Sequence, residues 1–207
     1  MNTVPYTLKT LTLALALAGA AQAADIKIGV AEALSGGAAQ YGQSIRNGFQ
    51  LAADEINAAG GVNGSPLALV IEDEQGKKEE AINAFKKLIF QDKVLMLFGP
   101  TLSNSAQAAD PIAQSAKVVV FGTSNTADGI TSIGDRVFRN SVTEADVLPI
   151  TIATVVKKAN LKKVAVLYGN DDVFTKSGYD NFKKALEALK VTVTTTETFA
   201  KGDVDFK

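Results

Sequence analysis

Residues Ile26 to Gly64 read IKIGVAEALSGGAAQYGQSIRNGFQLAADEINAAGGVNG, and this stretch decides the fold. Ile26, Ile28 and Val30 alternate as strand residues facing a core do. Further on, Ile45, Phe49, Ala52, Ala53 and Ile56 recur at spacings of three and four, the apolar stripe of an amphipathic helix. Gly60 and Gly61 then end that helix, as glycine commonly does at a helix C-terminus. Between strand and helix lie Ser35-Gly36-Gly37 and the pair Tyr41-Gly42, which reads as exposed. A small glycine-lined loop at the C-terminal end of a strand is where open α/β sheets take up ligands. One segment thus predicts both the fold class and the working rim of the sheet.

The same alternation runs outward from it. Strands are predicted over Ile26–Ala33, Leu67–Asp73, Val94–Phe98, Val118–Phe121, Val164–Tyr168 and Val191–Thr196. Helices are predicted over Gly42–Ala59, Lys77–Gln91, Ser103–Ser115, Glu144–Ala159 and Thr175–Leu189. Strands separated by helices of this length form βαβ crossovers and a mainly parallel, doubly wound sheet. The rhythm breaks once, in GTSNTADGITSIGDRVFRNSVT (122–143), which carries the short apolar piece Val137-Phe138 before alternation resumes at Glu144. Two α/β lobes are therefore expected, residues 24–139 and 144–207, joined by a hinge crossover at 140–143. After the last strand no closing helix follows, so the second lobe reads as incomplete and the chain as part of something longer.

Composition narrows the function. The 207 residues are 46% apolar and 21% charged, with a net charge of −1 and neither cysteine nor histidine. A near-neutral chain lacks the basic face that nucleic acid requires. Thiol nucleophiles, disulfides, the usual zinc sites and histidine general bases are all excluded. No G-x-G-x-x-G, Walker A or G-x-S-x-G motif occurs, so no catalytic residue, metal or cofactor is expected. The N-terminus reads as an export signal: Lys9, a Leu- and Ala-rich run from Leu11 to Ala20, then Ala21-Gln22-Ala23 as a cleavage site. That run is too short to span a bilayer. With no cysteine at the cleavage site a lipid anchor is excluded, and residues 1–23 are expected to be removed on export.

Three loops follow strand ends and would meet on one rim: Leu34–Gln43, Gly99–Ser105 and Gly122–Thr126. They are rich in Gly, Ser, Thr and Asn and carry no charged side chain. Hydroxyls and free N–H groups at helix N-termini suit a carboxylate. Ser103 stands where a helix N-cap should stand, and reads either as a cap of its own helix or as a ligand donor. Ser124 and Thr126 likewise read as turn formers or as site residues; three such loops together favour a site. The acidic run Glu72-Asp73-Glu74 reads as a solvated strand end, and Asp171-Asp172 as turn and helix-start chemistry.

A resemblance adds to this. The pieces IKIGVAEALSGGAAQYGQ, GFQLAADEINAAGGVNG, FGPTLSNSAQAADPIAQ, VVVFGTSNTADG, FRNSVTEA, VAVLYGNDDVFTKSGYD and FAKGDVDFK occur in this order. Together they resemble the N-terminal half of a periplasmic substrate-binding protein of an ABC importer, of the branched-chain amino acid (leucine/isoleucine/valine-binding) group. The resemblance implies a type I periplasmic-binding-protein fold, with three strands crossing between two lobes and an amino acid in the cleft. It places the ligand carboxylate on Ser103. It places the ammonium and carboxylate against the loop of Ser124, Asn125 and Thr126, through the Ser124 carbonyl and the Thr126 hydroxyl and N–H. Tyr41 would border the side-chain pocket. Where the family has tyrosine then glycine in the second lobe, this sequence has Phe174-Thr175, a more apolar wall. The third loop also lacks the proline common nearby. In the family the acidic partner of the ammonium lies beyond the position of Lys207, so these 207 residues by themselves are expected to bind weakly or not at all.

The expected function is an exported, periplasmic solute-binding protein that closes on an amino acid or amino-acid-like ligand by hinging at Asn140 to Val142. It would deliver that ligand to an ABC permease in the inner membrane. The alternative is an extracellular sensing domain of the same fold, acting as a receptor or chemosensor. An exported enzyme is disfavoured by the missing catalytic constellations.

Overall fold

The computed structural model describes residues 24–206. The export signal read in residues 1–23 lies outside them. Five strands build the first sheet: β1 (Ile26–Glu32), β2 (Leu67–Asp73), β3 (Met96–Phe98), β4 (Val119–Gly122) and β5 (Val137–Arg139). All are parallel, in the order β2-β1-β3-β4-β5. Helix α1 (Ala39–Ala58) connects β1 to β2, and α3 (Ser103–Ala116) connects β3 to β4. Between β2 and β3, α2 (Lys78–Lys86) widens into a π turn over Lys87–Gln91, where Lys87 Nζ reaches Glu72 Oε1 at 2.6 Å and Asp92 Oδ2 at 2.8 Å. Strand order proceeds from β1 in both directions, so the topological switch point lies between β1 and β3.

Strand alternation assigns each face its residues. Gly29, Leu97, Val120 and Val137 are register partners, and on their side Phe85 and Leu88 of the α2 segment and Ala106, Ala109 and Ala113 of α3 complete the core. The small alanines let α3 lie close to the strands. The opposite face carries Val30, Phe98, Phe121 and Phe138, also in register. There α1 lays Phe49 on Phe98, ring centroids 4.4 Å apart. The expected α1 stripe is only partly used: Ala53 is buried and Ile45 and Phe49 half-buried, but Ala52 and Ile56 are exposed. Among the described residues α1 stands by itself on this face, so nothing packs against its flank.

The second sheet pairs β6 (Lys163–Gly169) with β7 (Thr192–Phe199), again parallel. Helices α4 (Glu144–Ala159) and α5 (Val173–Ala188) cover it through Ile152, Ala185 and Leu186 over Val164, Val166 and Val193. Thr143 caps α4 by accepting the Asp146 N–H at 3.1 Å. Asp172 caps α5 by accepting the Thr175 N–H at 2.9 Å. Residues 140–143 run between the two sheets and are fastened to the loop after β4. The Asn140 N–H donates to the Gly122 carbonyl at 3.0 Å and the Ser141 hydroxyl to the Thr123 carbonyl at 3.1 Å. Val137–Arg139, read from sequence only as an apolar piece, forms the fifth strand; three residues are too few to display a period of two.

Candidate functional site

The three loops that follow β1, β3 and β4 meet at the C-terminal edge of the first sheet and are tied to one another. Gly99 opens the second loop at φ 111°, and a Cβ there would lie 2.0 Å from the Ala31 carbonyl oxygen, so only glycine fits. The Thr101 hydroxyl accepts the Ala33 N–H at 2.9 Å and donates to Glu32 Oε2 at 2.6 Å. From the third loop, Ser124 Oγ donates to the Thr101 carbonyl at 2.7 Å and Asn125 Nδ2 to the Pro100 carbonyl at 3.1 Å. Ser103 Oγ accepts the N–H groups of Thr126 and Ala127, each at 3.2 Å.

Ser103 is not an N-cap. Leu102 holds the capping position, in extended geometry and without a side-chain bond, and Ser103 is the first residue of α3. Its hydroxyl oxygen takes two N–H donors from the third loop, so what remains of it is a donor, on a residue that is 3% exposed. The first N–H groups of α3 have no side-chain cap to satisfy them. A donor hydroxyl beside an uncapped helix N-terminus presents positive potential, which is what a ligand carboxylate needs.

The other expected residues divide. Ser124 and Thr126 are half-buried beside Ser103. Asn125 is 1% exposed, so its side chain braces the loop from inside. Tyr41 is 67% exposed on the first turn of α1. Its neighbour Gly42 is buried rather than exposed, because α1 begins at Ala39 and crosses β1 so closely that a Cβ on Gly42 would lie 2.1 Å from the Ala33 carbonyl oxygen. Phe174 lies in the second lobe, where it lines an apolar cavity of about 550 Å³ with Leu148, Leu167, Tyr179 and Phe182. That cavity does not reach Ser103.

Contacts between the lobes were not foreseen. Asn104 Nδ2 donates to Asp172 Oδ2 at 2.9 Å, and Asn104 Oδ1 accepts the Val173 N–H at 2.7 Å. Beside them, the Asp128 N–H donates to Ser177 Oγ at 3.0 Å and Asn181 Nδ2 to Asp128 Oδ2 at 2.7 Å. The N-terminal turns of α3 and α5 therefore face each other across the space between the lobes.

Buried carboxylates form the foundation of the rim. Glu74 is completely buried, which corrects the reading of Glu72-Asp73-Glu74 as a solvated strand end. Ser105 Oγ donates to Glu74 Oε2 at 2.8 Å, while Oε1 has no partner, and burial raises this carboxyl above its usual range. Asp73 accepts Leu34 N–H (2.8 Å), Ser35 N–H (3.2 Å), Ser35 Oγ–H (2.6 Å) and Gln75 N–H (2.9 Å), anchoring the first loop. Against a partial desolvation that would raise it, the Ser35 hydroxyl and these N–H donors hold the Asp73 carboxyl low. Burial pushes Glu32 up to about 7 and Asp110, in mid-α3, up to about 8. Sequence offered one signal for both: a lone acid inside an apolar run, GVAEAL and AADPIA.

Comparison with known proteins agrees with this fold. A family model described as periplasmic binding protein matches residues 25–207. The Leu/Ile/Val-binding protein BraC3 of Rhizobium johnstonii is 33% identical over 97% of this chain and 55% of its own length. The substrate-binding protein LivJ of a Streptococcus pneumoniae branched-chain amino acid transporter, solved with isoleucine, is 35% identical, with a TM-score of 0.80 over 88% of this chain and 52% of that one. A solute-binding protein of a Rhodopseudomonas palustris ABC transporter, solved with 3,4-dihydroxybenzoic acid, is 26% identical, with a TM-score of 0.77 over 88% and 49%. The chain spans about half the length of the relatives it matches.

Proposed function

Since the chain belongs to the periplasmic binding protein family, we propose that the whole protein captures an amino acid between two lobes and hands it to an ABC importer. The observation that carries this reading is the Ser103 corner. A hydroxyl proton and an uncapped helix N-terminus converge there, and Ser124 and Thr126 flank them. A ligand carboxylate would take the Ser103 proton and the α3 amides, Ser124 would offer its carbonyl to the ammonium, and Thr126 its hydroxyl. Tyr41 and Phe174 would border the ligand's side chain from the two lobes. Residues 140–143 would absorb the hinge motion of closure, since they alone carry the chain from one sheet to the other among the described residues at that point. No bond is made or broken in this reading.

Residues 1–23 would direct export and be removed, leaving a periplasmic protein without a lipid anchor that meets its permease at the inner membrane. Relatives named as Leu/Ile/Val-binding and a neighbour solved with isoleucine favour an aliphatic amino acid as the ligand. They also favour transport over the sensor alternative. Isothermal titration of the whole protein with a panel of L-amino acids tests the reading. Micromolar binding of at least one aliphatic amino acid is expected, and no heat from any of them at millimolar concentration would overturn it.

A further inference from the structure

Glu32 closes β1 and is completely buried. Its two oxygens serve different loops: Oε2 accepts the Thr101 hydroxyl at 2.6 Å, after β3, and Oε1 accepts the Thr123 hydroxyl at 2.9 Å, after β4. No ion pair among the described residues includes it. Thr101 is fixed in turn by the Ala33 N–H, and its carbonyl receives Ser124 Oγ. A buried, unpaired carboxylate is costly. An apolar side chain would be cheaper to bury there, but it would not hold two hydroxyls at a set separation.

We propose that Glu32 is a positioning residue for the ligand rim, its carboxylate setting the spacing of the Thr101–Ser103 and Thr123–Thr126 loops and through it the affinity for the ligand carboxylate. The inference rests on the amino acid-binding reading above. It adds a pH dependence to that reading. As a carboxylate, Glu32 accepts from both threonines. Once protonated it must donate one O–H, so one threonine hydroxyl has to turn from donor to acceptor and one of the two ties changes. Of the surrounding elements, the end of β2 contributes the ionisable Glu74, with Asp73 behind it. The loops after β3 and β4 contribute only neutral groups. With burial holding the carboxyl near 7, the change of ties falls in the neutral range, and affinity should weaken as pH drops below it.

The test compares wild type, Glu32→Gln and Glu32→Ala in the whole protein. Titrations with L-isoleucine run from pH 5.5 to 8.5, and hydrogen exchange of the Thr126 and Ala127 amides is followed without ligand. Glutamine keeps the shape but cannot ionise, and its NH2 must donate where a carboxylate oxygen accepts, so it mimics the protonated acid. It should bind at every pH with the weakened affinity that wild type shows at low pH, and so lose the pH dependence. Alanine should weaken binding about tenfold and speed exchange at Thr126 and Ala127 by a similar factor. Three results would each overturn the inference: wild-type affinity flat from pH 6 to 8, a Glu32→Gln profile that follows wild type, or Glu32→Ala exchange equal to wild type. If L-isoleucine does not bind the wild type at all, the aliphatic-ligand reading fails on its own account, and the exchange rates alone decide the role of Glu32.

Discussion

Replacing Asp110 with asparagine should remove a loss of stability that wild type suffers as pH rises. Asp110 sits in mid-α3, just before Pro111, 1% exposed and with both carboxylate oxygens unpartnered. Burial moves its carboxyl from 3.8 to about 8. The folded chain therefore keeps this proton where the unfolded chain has released it. Stability from such a group is complete below the unfolded value and is lost as pH rises towards the folded one, at about 1.4 kcal/mol per pH unit. From pH 5 to 7 that amounts to roughly 3 kcal/mol from Asp110. Glu32, raised from 4.5 to about 7, adds a loss of the same sign over the same window. Asparagine resembles the protonated acid and does not titrate, so the variant's stability relative to wild type should improve by roughly 3 kcal/mol between pH 5 and pH 7. Urea unfolding followed by circular dichroism at pH 5, 6 and 7 measures this. Parallel stability curves for the two proteins would refute the assignment of a buried, protonated Asp110.

Two further substitutions probe the packing and the lobe contacts. Gly42→Ala should destabilise the first lobe by about 1–3 kcal/mol, because the new methyl meets the Ala33 carbonyl and a backbone has to move. A melting temperature equal to wild type would show that α1 lies farther from β1. Asn104→Ala removes both bonds to the start of α5. Exchange at the Val173 amide should quicken by about tenfold without a change in global stability; an unchanged rate would mean that the N-terminal turns of α3 and α5 do not meet in solution.

Elements whose signal is local were legible in the sequence. β2 over Leu67–Asp73 and α4 over Glu144–Ala159 follow their predicted bounds, the first an apolar run closed by acids and the second an apolar-rich helix. The order of strands and helices, and hence the rim, came from the same periodicity. What was not legible depends on partners distant in sequence. Glu74 looks like a solvent-facing strand end, and Glu32 an acid without a partner, until Thr101 from the loop after β3, Ser105 from α3 and Thr123 from the loop after β4 arrive to bury and bond them. Ser103 reads as a cap of its own helix or as a ligand donor, and its hydroxyl meets the third loop rather than its own helix, because Leu102 takes the cap. Helix α1 starts three residues before Gly42, its predicted first residue, and the missing Cβ of Gly42 lets it cross close to the end of β1.

The claim that Ser103 and the first turn of α3 receive a ligand carboxylate is tested most directly by a crystal structure of the whole protein with L-isoleucine. The expected result places the ligand carboxylate about 3 Å from Ser103 Oγ and from the first amides of α3, with Ser124 and Thr126 beside it. A carboxylate bound elsewhere, for example in the second-lobe cavity lined by Phe174 and Phe182, would contradict it.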